Sequence, residues 1–371
     1  MNKFKTLLLG TAAATIAATG AAQAADAPMR EPVYRCDARG FIELPGTDVC
    51  FKVGGFARLI VWGANEDAGS QETVAGGDDF GMYGQGRLNF DARRSTDHGT
   101  VRAFIEVQAT DNNSNTGGAL QLRHAFAQLG NWVFGKTWST YLHGASDPNG
   151  TDLSFLAHTI RINQIRYTQS VGNGLTVSVA LEDSAYEDLT GSGTAGAQGE
   201  NNVPNVVANI NYAQGGWDAQ LSGAVLFNEF GAGVDNTGYG IMFALAGEIT
   251  DSVNVFGKIN YTDDAPGYQF DWVSLARRQD GPGQEVFAFM GGLSFEATDD
   301  VTVQLVGGWA DVDSPVAAQD GEQMVAGALA QWRVASGFDI IGEVFYRGTD
   351  FDLPIADTDE VVGVLQFRAG I

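Results

Sequence analysis

A two-residue alternation of apolar and polar side chains returns along most of this chain, and it restricts the fold more than any other feature. In VRAFIEVQAT (Val101–Thr110), Val101, Ala103, Ile105, Val107 and Ala109 share one face, and Arg102, Phe104, Glu106 and Gln108 share the other. Such alternation marks a strand with one apolar face. In a soluble protein that face would pack on a second layer of sheet or helix. This sequence offers no such layer. No window carries helical periodicity, and beyond the first residues no apolar run is long enough for a membrane helix.

The same pattern recurs in LTVSVALE, WDAQLSGAV, VNVFGKINY, VTVQLVGGW and FDIIGEVFYR. Each is about as long as a tilted strand must be to cross a bilayer. Segments of this kind begin near Lys52, Gly84, Thr100, Ala119, Asn131, Arg161, Gly174, Pro204, Gly216, Gly238, Ser252, Glu285, Val301, Gln323, Gly337 and Glu360. That makes about sixteen, an even number, as expected of a transmembrane barrel. Glycine is abundant (49) and proline scarce (9), which suits many strands joined by tight turns.

Connection lengths alternate as well. Short turns such as STDH (95–98), AQGG (213–216), ATDD (297–300) and VASG (334–337) are interleaved with long polar segments at 62–83, 139–160, 183–203 and 262–285. Barrels inserted from the periplasm have short turns on that side and long loops outside. The Greek-key crossings of a soluble sandwich would scramble the order. The expected fold is therefore an all-β, closed antiparallel transmembrane barrel. Its apolar face meets lipid, and closure pairs every strand edge. Trp217, Tyr261, Trp309 and Tyr346 end their apolar faces as an interfacial aromatic belt would. The opposite face, with Arg102 and Glu106, is expected to line an aqueous channel.

The first 24 residues read as a signal peptide, with Lys3 and Lys5, an apolar run from Leu7 to Ala18 and the small-residue box Ala22-Gln23-Ala24. Residues 25–51 are then expected to form a periplasmic N-terminal segment, and 52–371 the barrel. Cys36 and Cys50 are the two cysteines of the chain, and in an oxidising compartment a disulfide between them is favoured over two buried thiols. The net charge of −24 argues against nucleic acid as a partner.

Cys36-Asp37-Ala38-Arg39-Gly40-Phe41, Pro45-Gly46-Thr47, Cys50 and Val53-Gly54-Gly55-Phe56-Ala57-Arg58 resemble the start of the alphaproteobacterial general porins. RHAFAQLGNWVFGKTWSTY (Arg123–Tyr141) is similar to the strand pair leading into the constriction loop of porins and related substrate channels. The resemblance implies a sixteen-stranded homotrimeric diffusion channel whose third external loop folds into the lumen. The chain departs from many such barrels by ending VVGVLQFRAGI, without a terminal phenylalanine. Val361, Gly363, Leu365, Phe367, Ala369 and Ile371 nevertheless keep one apolar face, so insertion is expected to be intact.

Charge placement marks the candidate site. Arg58, Arg87, Arg93, Arg102 and Arg166 share the polar parity of their strands and are expected to form a basic wall of the pore; Arg123 and Lys136 have no clear parity. Asp147 and Asp152, in the position of the infolded loop, are the expected constriction acids facing that wall. The external segments carry most of the acids against two basic residues, Arg277 and Arg278. An acidic rim beside lipopolysaccharide phosphates suggests bridging divalent cations. DPNGTD (147–152) hints at calcium but lacks the rest of an EF-hand loop, and Asx-turns also explain it. His98, His124, His143 and His158 stand in no catalytic or metal-binding spacing. No cofactor, resident metal or enzymatic activity is expected. The function expected is passive diffusion of small hydrophilic solutes and ions across the outer membrane. The alternatives are a substrate-specific channel, for example for organic acids, or a structural or adhesive barrel.

Overall fold

The computed structural model describes residues 36, 40–65, 80–111, 119–148, 160–183, 203–230, 234–273, 283–315, 320–352 and 357–370. Residues 1–24, expected to be a signal peptide, and Asp152, His158, Arg277 and Arg278 lie outside them. Among the described residues a two-residue strand, β1 (Ile42–Glu43), precedes sixteen long ones. These are β2 (Cys50–Ala64), β3 (Phe80–Thr96), β4 (Gly99–Thr110), β5 (Ala119–Leu129), β6 (Trp132–Trp138), β7 (Arg161–Gly172), β8 (Leu175–Glu182) and β9 (Asn205–Gln214). They continue as β10 (Trp217–Phe230), β11 (Val234–Thr250), β12 (Val253–Asp263), β13 (Glu285–Thr298), β14 (Val301–Asp313), β15 (Gly321–Ala335), β16 (Phe338–Phe351) and β17 (Thr358–Gly370).

Each long strand pairs antiparallel with its neighbours in sequence, and β17 returns to β2 from Val362↔Ala64 to Gly370↔Phe56, closing the sheet. Closure leaves no edge for water or a second chain to satisfy. At one end the seven turns hold two residues each, such as Asp97-His98 and Gly215-Gly216; all long connections lie at the other end.

The burial pattern is inverted relative to a soluble protein. Large apolar residues are exposed, with Ile105 at 47%, Leu221 at 48% and Leu305 at 56% accessible. Polar residues of the opposite parity are hidden, with Gln304 at 4% and Gln366 at 1%. The apolar face of Val101–Thr110 is thus the outer one, a surface suited to hydrocarbon. Aromatic rings flank it at both ends: Trp132 on Tyr167 at the turn end, and Tyr239 near Tyr261 and Phe287 near Trp309 at the loop end.

Cys36 and Cys50 are joined in a disulfide at the turn end, where Cys50 opens β2 and faces Glu43 of β1. Exposed Arg94 also reaches back to Asp48, at 2.9 Å. That surface ion pair adds little; the β1–β2 pairing and the disulfide tie the N-terminal hairpin to the barrel.

Candidate pore-lining site

The arginines of β2 to β5 stand on two levels. Near the turn end, Arg93 and Arg102 are cross-strand partners, and both grip Asp91. Arg93 donates from Nε and Nη2 at 2.8 and 2.7 Å, and Arg102 from the same atoms at 3.0 and 2.8 Å. Two forked guanidinium groups thus share one buried carboxylate, an arrangement that fixes both side chains. Phe104 and Phe126 lie under Arg102, and Phe41 of the N-terminal hairpin under Arg93, at 5.0 to 5.1 Å.

The second level lies about 20 Å further along β4, at 3.4 Å per residue. There Arg87 donates to Gln108 at 2.9 Å and approaches Glu106 at 3.8 Å, and Arg123 donates to the same Glu106 at 3.1 Å. Arg58 donates to Gln366 at 2.8 Å across the β17–β2 seam, and the Phe56 ring lies beside both Arg58 and Arg87. Across the two levels, Arg93 and Arg102 share Asp91, Arg87 and Arg123 share Glu106, and Arg58 rests on the Gln366 amide.

Parity alone did not place Arg123. In the β4–β5 ladder Glu106 pairs with His124 but Val107 pairs with Leu122, so Arg123 is an extra residue. The bulge turns Arg123 and His124, consecutive in sequence, both to the buried inner side. Arg166 is two strands further round than Arg123, between Val133 and Ala180, within electrostatic reach of Glu182. It stands apart from the Arg58-to-Arg123 group.

The segment after β6 contacts the polar faces of β7 to β10 and β12. Glu182, fully buried at the end of β8, accepts from Ser139 Oγ at 2.8 Å and the Thr140 amide at 2.6 Å. Asn209 of β9 donates to the Thr140 carbonyl, and Gln220 of β10 to the Leu142 carbonyl. Tyr141 Oη donates to Asn260 of β12 at 2.6 Å. Burial pushes its phenol well above its ordinary range, so it remains a neutral donor. Asp147 is ion-paired with Lys258 of β12, a buried lysine that sequence spacing did not single out.

His143 sits between Ser146 Oγ and Asp218 Oδ1, each 2.9 Å from a ring nitrogen. The order Ser–His–Asp resembles a nucleophilic triad. Ser146, however, is fully buried and also donates to the His143 carbonyl, so these contacts tie the segment to β10. Among the described residues no group of three or more His, Cys, Asp or Glu side chains is placed to hold a metal ion.

A second connection behaves unlike the polar external loop expected of it. Between β12 and β13, Ala265, Tyr268, Phe270, Trp272 and Val273 are buried, with a 3-10 turn at Pro266–Tyr268. The signal was present in APGYQFDWV, whose aromatic residues suit burial better than a solvated loop. Strands β11 and β13 carried the complementary sign, because Ile241–Ala246 and Val286–Met290 are apolar at both parities. A strand apolar on both sides needs cover on both.

The profile of the porin subfamily matches residues 24–361. The chain belongs to that subfamily. Among curated relatives, the porin is 27% identical to porin Omp2b of Brucella melitensis biotype 1, over 98% of each chain. Among solved structures it is similar to the outer membrane channel DcaP of Acinetobacter baumannii, at TM-score 0.74 and 18% identity, over 87% of this chain and 97% of that one. It is also similar to the trimer form of OmpT of Vibrio cholerae, at TM-score 0.57 and 12% identity, over 88% of this chain and all of that one (100%). The porin is accordingly an outer-membrane, multi-pass β-barrel of sixteen transmembrane strands.

Proposed function

We propose that this porin is a general diffusion channel, passing small hydrophilic solutes and ions down their gradients. The observation that carries the reading is the charged and polar wall of Arg58, Arg87, Arg93, Arg102 and Arg123, with Asp91, Glu106 and Gln108, inside a closed barrel whose apolar face is turned outward. Rings and patches of such charge set what passes a pore. The two-residue turns face the periplasm and the long connections face outward, following the order of barrel insertion. The disulfide-bonded hairpin before β2 is then periplasmic, and the leader over residues 1–24 is removed on export.

In this reading the 139–160 segment is the infolded constriction loop. The contacts of Ser139, Thr140, Tyr141 and Asp147 with polar-face residues of β8 to β12 support it. Asp147, held by Lys258, then supplies negative charge opposite the basic wall; Asp152, outside the described residues, is assigned the same role on the family resemblance alone. The assembly is a homotrimer, a proposal supported by the likeness to the trimer form of OmpT. Divalent cations bridge the acidic rim to lipopolysaccharide phosphates. Asp311, Asp313, Asp320, Glu322 and Asp352, mutually close at the loop end, support that contact.

Swelling of vesicles that hold the purified protein, in neutral sugars of rising size, tests the reading. Rates should fall smoothly with solute size, without saturation or competition. Saturable uptake blocked by low concentrations of one organic acid would make this a substrate-specific channel. No swelling with any sugar would make it a structural barrel.

A further inference from the structure

The inward faces of the sixteen strands differ around the ring. Those of β2 to β7 carry Arg58, Arg87, Arg93, Arg102, Arg123 and Arg166 with Asp91 and Glu106. Those of β9 to β14 carry Val207, Leu226, Met242, Phe256, Met290 and Val306, buried in one cluster beside polar residues such as Gln220, Lys258 and Asn260. Apolar surface lining a water-filled channel would be unfavourable by roughly 25 cal/mol per Å². Something must cover it: Tyr141 of the β6–β7 segment covers part, and the larger share falls to Ala265, Tyr268, Phe270, Trp272 and Val273 of the β12–β13 connection.

Tyr268 Oη donates to Glu182 on β8 at 3.1 Å, while the Tyr268 carbonyl accepts from Asn260 on β12 at 2.9 Å. Those strands are four apart, about 19 Å round the wall at 4.8 Å per strand. One residue meets both only by crossing inside the ring. Trp272 reaches the opposite flank, against Gly308 of β14, five residues below the end of that strand and so about 17 Å down it. A Cβ at Gly308 would stand 3.0 Å from the Trp272 ring and 3.0 Å from the Phe289 carbonyl, so the glycine makes the seat. Phe270 stacks on Trp272, and Tyr268 meets Tyr141 of the β6–β7 segment edge to face at 5.1 Å.

The base of the connection is stapled shut. Asp264 Oδ1 accepts from the amides of Gly283 and Gln284 at 2.6 and 3.0 Å, and the Asn236 side chain donates to the same carboxylate. A segment fixed at its base, seated on a glycine and buried throughout is a filler of the lumen, not a lid.

We infer that residues Ala265–Val273 form a second occluding element, which closes the β9–β15 side of the barrel and confines passage to the side bounded by the basic wall. The inference rests on the diffusion reading and deepens it. Every solute is held off-axis, close to Arg58, Arg87 and Arg123. The constriction is set by two loops docked on each other through Tyr141 and Tyr268.

Cysteine labelling tests this cleanly, because the two native cysteines are tied in the disulfide. Ala288→Cys places a thiol beneath the filler, and Arg102→Cys places one on the open wall. In the full chain, reconstituted in vesicles, a charged membrane-impermeant methanethiosulfonate should modify Cys at 102 within minutes and leave Cys at 288 unmodified by mass. Replacing 265–272 with a short Gly-Ser linker should make position 288 reactive and raise single-channel conductance roughly twofold, as expected if about half the lumen opens. Rapid modification at 288 in the full chain would overturn the inference, and so would unchanged conductance in a linker variant that still inserts as a heat-modifiable barrel. If the linker variant fails to insert, labelling of the full chain decides alone. Labelling is read by mass and needs no current, so a non-conducting wild type would sink the diffusion reading and leave this one to its own result.

Discussion

Ile105 and Glu106 are adjacent in β4 and belong to opposite solvents, one 47% exposed on the outer face, the other holding Arg87 and Arg123 within. Arginine at Ile105 should destabilise the barrel by about 2–4 kcal/mol if the site lies near the bilayer midplane. Arginine at Glu106 should instead fold, put four guanidinium groups together on the second level and raise anion preference. Urea unfolding in lipid vesicles and bilayer recording read the two effects; the opposite pairing of outcomes would reverse the faces. At this scale parity placed Arg58, Arg87, Arg93 and Arg102 on the side where their contacts lie, because a strand leaves each side chain two choices. Arg123 escaped it, since a bulge is one extra residue that shows only in the pairing of β4 with β5. Lys258 escaped it too: its partner Asp147 is 111 positions away, and no local pattern links them.

Among the elements, the sixteen expected strand starts fall within a few residues of those observed, since alternation and turn chemistry both mark the same boundaries. The two-residue β1 went unseen because so short a strand has no period. Within the β12–β13 connection the burial of 265–273 was not anticipated, because Asp264 and Asp271 beside the aromatic residues made the whole of 262–285 read as a polar segment. Polarity averaged over a loop hides a short apolar core within it. The N-terminal hairpin yields the element-scale prediction. The disulfide closes a short loop, separation 14, outside the long ladders, so its loss should matter little beside barrel closure. Serine at both Cys36 and Cys50 should give a folded, heat-modifiable, conducting barrel. Complete loss of insertion would show that the hairpin guides assembly.

For the whole molecule, the inverted burial follows from one physical fact. Lipid satisfies no backbone hydrogen bond and water satisfies all, so the sheet closes and turns its apolar face outward. That much was legible from alternation without a second layer. The unequal division of the interior was not, because it depends on which loops turn inward and what they cover. The central claim is an open aqueous path whose arginine-bearing wall governs ions. Reversal potential across a planar bilayer, measured for single channels of the wild type, Arg58→Ala and Arg102→Ala in a salt gradient, tests it most directly. The account predicts ohmic steps for all three, with both variants shifted toward cation preference relative to wild type. Absence of ohmic steps in the wild type, or reversal potentials identical in all three, would contradict it.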